Sequence, residues 1–225
     1  MSSNFGYNYL HSRNKRSNFY KAIKLAFSEA FSNDNMIRMQ SKIFLTLMMI
    51  LNLMSCKAQN LPLSTPFLSI PNGAYIKDTN SELNPYVGIY KTIFNGNEIT
   101  LFITKQENKL ENTGQKSYYV DVLMVKYIVK NSAGVILQDT QNNNLYDIKL
   151  YSTKIRPAKN AVHLIYSGTN CSVGWGDVFL KKINSTQISW EYRPDDITTT
   201  AAKCPPTLDT TIYLPETKDL IFTKQ

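Results

Sequence analysis

Two histidines, His11 and His163, are the only side chains in this sequence whose ordinary pKa lies near neutrality. His163 stands in Ala161-Val162-His163-Leu164-Ile165-Tyr166, alternating opposite Val162 and Leu164, on the less apolar side of an expected strand. A Ser-His-Asp site would need it as the base, oriented by an acid, and no Gly-x-Ser-x-Gly elbow accompanies it. HExxH, Cys-x-x-Cys and the EF-hand ladder are absent, so neither zinc nor calcium has a motif. The nearest acidic pair, Asp195-Asp196, follows Pro194 in a turn. Paired carboxylates work as acid and base only when held across a cleft, and adjacent ones on a loop stay solvated. The segment from Gly168 to Gly176 (GTNCSVGWG) lacks the spacings of the phosphate-binding loops. It reads as a hairpin loop pinned by Cys171, in which Trp175 is the one flat apolar face able to form a binding rim. The chain is therefore expected to have no catalytic, cofactor-binding or metal-ligating residues and not to be an enzyme.

The three cysteines point elsewhere. Residues 43–54, IFLTLMMILNLM, form an uncharged apolar run behind Arg38 and Lys42, and Ser55 then Cys56 follow it. Basic start, apolar middle and small residue before a cut make a signal peptide. Twelve residues are about 18 Å of helix, short of the roughly 20 residues a membrane span requires. The ending Leu53-Met54-Ser55-Cys56 resembles the lipobox of Gram-negative lipoproteins, with Met54 where Ala, Ser, Thr or Val is common. The resemblance implies lipid on the Cys56 thiol and cleavage just before it. Each buried CH₂ of an acyl chain contributes on the order of 0.8 kcal/mol, so several chains hold almost permanently. Removing Cys56 leaves Cys171 and Cys204, an even pair in an oxidising compartment, expected to bridge; the alternative is two buried thiols. Residues 1–38 read as an upstream extension, with the natural start at Met36 or Met39. Within it FYKAIKLAFSEAF (19–31) places Tyr20, Ile23, Phe27 and Ala30 near one helical face.

The formal charge of +8 does not signal nucleic acid. Residues 1–55 hold seven Lys/Arg against two acids, whereas the other 170 residues hold 18 against 15, without a basic run longer than Lys181-Lys182.

The expected organisation is an extension (1–38), a signal peptide (39–55), lipidated Cys56 with a proline-rich tether (56–85), and a β domain (86–225). Pro62, Pro66, Pro71 and Pro85 carry the tether reading, although GAYIKD (73–78) could already pack on the body. VGIYKTIF (87–94) and EITLFITK (98–105) flank Asn95-Gly96-Asn97, a strong hairpin signal. SYYVDVLMVKYIVK (117–130) is apolar on both faces, as in a central or bending strand. VILQD (135–139), LYDIKLYS (145–152), AVHLIYSG (161–168), WGDVFLKKI (175–183), QISWEYR (187–193), TTIYLP (210–215) and DLIFTK (219–224) complete the expected strands. Nine or ten short strands without helical crossovers define an all-β fold, a single antiparallel β-barrel or sandwich. Hairpin order and the long bending strand favour the barrel. Gly88-Ile89-Tyr90 resembles the Gly-x-Trp opening strand of lipocalin-like barrels, with Tyr for Trp.

Fourteen tyrosines are present, and Tyr118, Tyr119, Tyr127, Tyr146, Tyr151, Tyr166, Tyr192 and Tyr213 fall in or beside these strands. Tyrosine suits half-buried strand positions, and the sharper possibility is a tyrosine-lined mouth for a ligand or protein. Lipobox, GAYIKDTNSELNPYVGIYK (73–91), the glycine–cysteine segment (168–176) and LIFTKQ (220–225) together resemble a family of small Gram-negative lipoproteins with a domain of unknown function. The resemblance implies an envelope protein and brings no activity. The expected function is a membrane-anchored, non-enzymatic binding module, without cofactor or nucleic acid, whose partners are membrane lipid through Cys56 and an unknown ligand or envelope protein. The alternatives are an accessory subunit of an envelope complex or a hydrolase using carboxylates. Lys57-Ala58-Gln59-Asn60 carries no acid. Surface export in some bacterial groups resembles an acidic signal at these positions, so an outer-membrane anchor facing the periplasm is expected.

Overall fold

The computed structural model describes residues 60–144 and 147–225, together with Lys21, Lys24, Leu25, Ile43 and Phe44, which are helical. The chain forms two compact units, Met1–Lys57 and Ala58–Gln225, and the second carries the fold. Most of the expected signal peptide, and Cys56 itself, lie outside the described residues. Among the described residues no helix is long and apolar enough to cross a membrane.

The described residues form eleven strands, in order: β1 (Asn60–Pro62), β2 (Tyr75–Lys77), β3 (Gly88–Phe94), β4 (Asn97–Asn112), β5 (Ser117–Lys130), β6 (Ile136–Asp139), β7 (Leu150–Arg156), β8 (Ala161–Tyr166), β9 (Gly176–Lys182), β10 (Gln187–Pro194) and β11 (Thr217–Lys224). Eight of them close an antiparallel barrel in the order β5-β4-β3-β11-β10-β9-β8-β7, and β7 returns to β5 through Met124 opposite Tyr151. Full closure removes the exposed edges that an open sheet would present. The expected all-β barrel is the fold.

Alternation drives it. Ile99, Leu101 and Ile103 of β4 face inward opposite Val129, Tyr127 and Val125 of β5, and all six are buried. Val162, Leu164 and Tyr166 on β8, and Ile188, Trp190 and Tyr192 on β10, supply the same stripe. The β3–β4 turn places Asn95 at φ 49° and Gly96 at φ 79°, the pair of positive angles that a two-residue hairpin of this hand demands. The interior is filled by aromatic rings in contact: Trp190 with Phe222 at 5.8 Å and with Tyr192 at 6.3 Å, then Tyr192 with Tyr166 at 5.8 Å and Tyr166 with Tyr127 at 6.5 Å.

The sequence expectations needed four adjustments. β4 runs on to Asn112, because a bulge between Gln106 and Lys109, with Asn108 at φ 55°, lets it pair with β5 again. In LYDIKLYS the strand begins at Leu150, Asp147–Lys149 lie outside it, and Leu145 and Tyr146 fall outside the described residues. TTIYLP is irregular; its Leu214 is buried, but its backbone bonds locally and to neighbouring loops instead of joining the sheet. From Asn60 onward the proline-rich segment is not a free tether, since β1 pairs parallel to β2, β2 parallel to β5, and Leu63, Ile70, Ala74, Ile76 and Leu83 are buried.

The last part of that segment, residues 78–87, closes one end of the barrel, whereas residues 64–70 lie along the outer face of β7 and β8. Asp78 accepts from the backbone N–H groups of Glu82 (2.6 Å) and Leu83 (3.3 Å) and binds Lys105 Nζ at 2.8 Å. Asp121 of β5 accepts from the Tyr75 hydroxyl at 2.5 Å and from the Asp78 and Asn108 N–H groups, each at 3.0 Å. On the far wall, Lys224 Nζ donates to Val87 O at 2.8 Å. Residues 78–87 thus cross from β4 and β5 to β11. The opposite end is the mouth, bounded among the described residues by 140–144, 147–149, 167–175 and 195–216.

Candidate functional site: a polar cleft at the barrel mouth

The mouth owes its opening to a strand exchange. The last residues of β5 pair with β6, not β7, so the wall parts between β6 and β7. A cleft of about 250 Å³ occupies the gap. Tyr127 and Tyr166 form its floor and share a hydrogen bond of 3.0 Å between their hydroxyls. Burial pushes both phenols above their ordinary pKa, so they act as neutral hydrogen-bonding groups.

The cleft's charges are already engaged by neutral partners. Lys126 Nζ donates to Gln141 O at 2.7 Å, and Lys149 Nζ to Thr169 O at 2.9 Å. Asp209 accepts from Thr211 N–H and from the Tyr213 hydroxyl, both at 2.9 Å, and hydrogen bonds from these two residues hold its pKa below the ordinary value. Gln138 Oε1 is buried in the cleft wall without a hydrogen-bond partner. A buried acceptor left unpaired is unfavourable by about 1–3 kcal/mol.

The rim is pinned. Cys171 and Cys204 form the expected disulfide, with their Cα atoms 5.7 Å apart. It closes a loop of roughly 34 residues, a stabilisation of about 3–4 kcal/mol on the chain-entropy account. Asn170 Nδ2 bonds Asp209 O at 2.7 Å and Thr169 Oγ1 bonds Thr210 O at 3.2 Å, stitching residues 168–173 to 204–213. The glycines of this loop serve close packing: a Cβ on Gly176 would lie 2.2 Å from Arg193 O. Trp175 is at the same end and 41% exposed, but it does not line the cleft. Asp195 and Asp196 are exposed on the long loop. Among the described residues no three His, Cys, Asp or Glu side chains gather as metal ligands. Of the other tyrosines singled out in the sequence, Tyr213 joins the cleft, Tyr192 lies in the core beneath it, Tyr118, Tyr119 and Tyr151 lie outside it, and Tyr146 is outside the described residues.

His163 has partners that sequence order concealed. Its Nε2 meets Asp177 Oδ1 at 2.6 Å, its Nδ1 meets Thr153 Oγ1 at 3.1 Å, and its ring stacks on Phe179 at 5.0 Å. Burial lowers its pKa despite Asp177, with Lys154 and Arg156 adding to the fall, so the ring is neutral at pH 7. The ring is only 6% exposed, well covered for the face of a strand that reads as its polar side. Thr153 and His163 border a second cleft of about 490 Å³, between residues 64–70 and the outer face of β7 and β8. A hydroxyl, an imidazole and a carboxylate in a row can activate the hydroxyl oxygen, and the same bonds also satisfy a buried ring.

These features define a closed eight-stranded antiparallel barrel, plugged at one end by residues 78–87 and notched at the other. The chain belongs to a family of unknown function, DUF6705, whose model matches residues 39–225. No curated protein and no solved structure matches it.

Proposed function

We propose that this chain is a lipid-anchored protein of the bacterial envelope, periplasm-facing on the outer membrane, whose barrel mouth binds a small neutral ligand without chemical turnover. The cleft carries the reading: in a barrel otherwise filled by aromatic rings, it is polar, its charges are satisfied, and Gln138 Oε1 awaits a donor. Its volume of about 250 Å³ is near the lower bound of ligand pockets, about 300 Å³. Hydroxyl- or amide-rich molecules of saccharide size fit that chemistry. The lipobox at Cys56 and the apolar run before it support the anchor.

Native mass spectrometry of the protein purified from membranes tests both halves. The expected covalent mass is residues 56–225 plus acyl groups, lost in Cys56→Ser together with resistance to a carbonate wash. A non-covalent adduct should be present in the wild type and reduced at least several-fold in Gln138→Leu. Retention of residues 1–55 would overturn the anchor, and an adduct unchanged in Gln138→Leu would overturn the cleft.

The Thr153–His163–Asp177 row favours a second reading, hydrolysis of an ester at the side cleft. An alkyl fluorophosphonate separates the two. The binding reading expects no labelling, whereas labelling that disappears in Thr153→Val assigns the side cleft to hydrolysis.

A further inference from the structure

We infer that the side cleft on the outer face of β7 and β8 is a second binding site, for a small neutral molecule built on an aromatic ring and carrying a carbonyl or hydroxyl group. The inference is independent of the lipid anchor and of the mouth cleft, and it concerns a ligand held without a covalent bond.

The first argument is that the cleft is built in advance. Residues 64–70, the outer half of the β4–β5 hairpin and the outer face of β7 and β8 enclose it. Each wall is fastened to the next. Lys116, in the β4–β5 turn, donates from Nζ to Phe67 O at 3.0 Å and to Ile70 O at 2.9 Å. Beside it Ser117 N–H donates to Asn72 Oδ1 at 2.9 Å, and Gly73 N–H donates to Ser117 O at 2.7 Å. Toward β7, the Tyr151 hydroxyl donates to Glu111 Oε1 at 3.2 Å, and Lys109 Nζ lies 4.2 Å from the Tyr151 ring centroid. The hairpin is thus tied to residues 67–73 and to β7 by separate bonds. A ligand need not order these walls as it binds, which lowers the entropy cost of binding. The volume of about 490 Å³ lies within the usual range of small-molecule pockets, about 300–1,000 Å³.

The second argument is what the lining offers. Phe67, Tyr118 and Tyr151 bring three aromatic rings, and Ile70, Val120 and Ile165 add aliphatic surface. Phe67 and Tyr118 already meet edge-on at 6.5 Å, the geometry in which a further ring gains more than its buried area alone. Charge on the lining is largely met from within. Glu111 pairs with Lys109 and accepts from Tyr151, and His163 is neutral at pH 7. Lys154 is exposed and keeps its ammonium in water. A charged ligand would give up its hydration without a buried partner of opposite sign. Two hydroxyls are left to orient a neutral one. The Asp177 carboxylate accepts from Nε2–H of His163, so Nδ1 accepts from the Thr153 hydroxyl, whose oxygen keeps lone pairs of its own. The Tyr118 hydroxyl has no hydrogen-bond partner among the described residues, and burial together with Glu111 raises its pKa, so it remains a donor. One donor and one acceptor beside three rings suit an aromatic body with a carbonyl or hydroxyl.

The test uses the full chain and benzophenone, a neutral pair of aromatic rings with one carbonyl, which joins to nearby C–H groups on irradiation. Peptide mass spectrometry should place saturable adducts on residues 64–70, 111–118 or 151–165. Their yield should fall several-fold in Ile165→Gln and stay at the wild-type level in Ile165→Leu, with urea midpoints showing that both variants are folded. Should Ile165→Gln fail to fold, the wild-type map decides by itself. Adducts spread along the chain, gathered at the mouth or on residues 43–54, or undiminished in Ile165→Gln would overturn the site. 4-Benzoylbenzoate, the same body with a carboxylate, should label the cleft several-fold less than benzophenone; equal or stronger labelling would overturn the neutral class. None of these outcomes depends on the Gln138→Leu result, so the two clefts stand or fall separately.

Discussion

Replacing Trp190 by alanine is expected to destabilise the barrel by about 3–5 kcal/mol, the usual range for emptying a buried aromatic site. Trp190 is completely buried and touches Phe222 and Tyr192 within the aromatic column. Neighbouring rings cannot collapse into the space without breaking their own contacts, which places the loss high in the range. The indole also does a second job. Its Nε1 donates to Pro215 O at 2.9 Å, fastening the end of the loop that frames the mouth. Trp190→Phe keeps most of the volume and should lose that bond, about 1 kcal/mol, with faster amide exchange in residues 208–216. Urea unfolding midpoints read both variants. A loss below 1 kcal/mol for alanine would mean that the column is not the centre of the core.

Asp121→Ala is expected to cost a similar amount, about 3–5 kcal/mol, because it strips a buried carboxylate from the donors that converge on it. Three donors converge on this group, from Tyr75, Asp78 and Asn108. Burial alone would raise its pKa; the hydrogen bonds from Tyr75, Asp78 and Asn108, with the charge of Lys105, outweigh burial and hold it below its ordinary 3.8. A depressed acid binds fewer protons in the folded chain than in the unfolded one. Its stabilisation is complete above the ordinary value and disappears as pH falls through the lowered one. Lys105 runs the other way. Burial would lower its pKa, but Asp78 and neighbouring acids raise it above 10.5, so its contribution holds below that value and is lost as pH climbs through the raised one. His163, depressed by burial, adds to the loss in acid. The wild-type urea midpoint should therefore fall steeply in acid, and Asp121→Asn should flatten the part of that fall below the carboxylate's ordinary value. An identical acid slope in the variant would refute the assignment.

Much of the barrel is legible in one dimension, since a strand with one face in the core must alternate. Ile188-Ser189-Trp190-Glu191-Tyr192 states its inward face outright, and Asn95-Gly96 states its turn. The disulfide follows from the even pair, Cys171 and Cys204, that remains when Cys56 is expected to carry lipid. What escapes is whatever depends on a second segment. The outer half of β4 hides behind a bulge whose reward, Asn108 N–H to Asp121, lies across the sheet. TTIYLP has the composition of a strand, but its bonds go to the loops and side chains of the mouth. Asp177 becomes a neighbour of His163 because His163 faces Phe179 across the β8–β9 ladder, which puts Asp177 two residues along on the same face. The cleft was least legible of all. It arises where β5 changes partner from β7 to β6, a choice made by the whole sheet.

The parallel pairing of β1 and β2 beside β5 also bears on how the chain acquires its shape. Protein synthesis runs from the amino terminus, so β1 and β2 exist before any residue of β5 has been made. Tyr75 meets its partner only when Tyr119 has been added, and the ring closes only when Tyr151 reaches Met124. In that interval the side chains of Leu63, Ile70, Ile76 and Leu83, all destined for the core, have no sheet to lie against. Such long-range pairings are slow and leave apolar surface uncovered until β5 arrives.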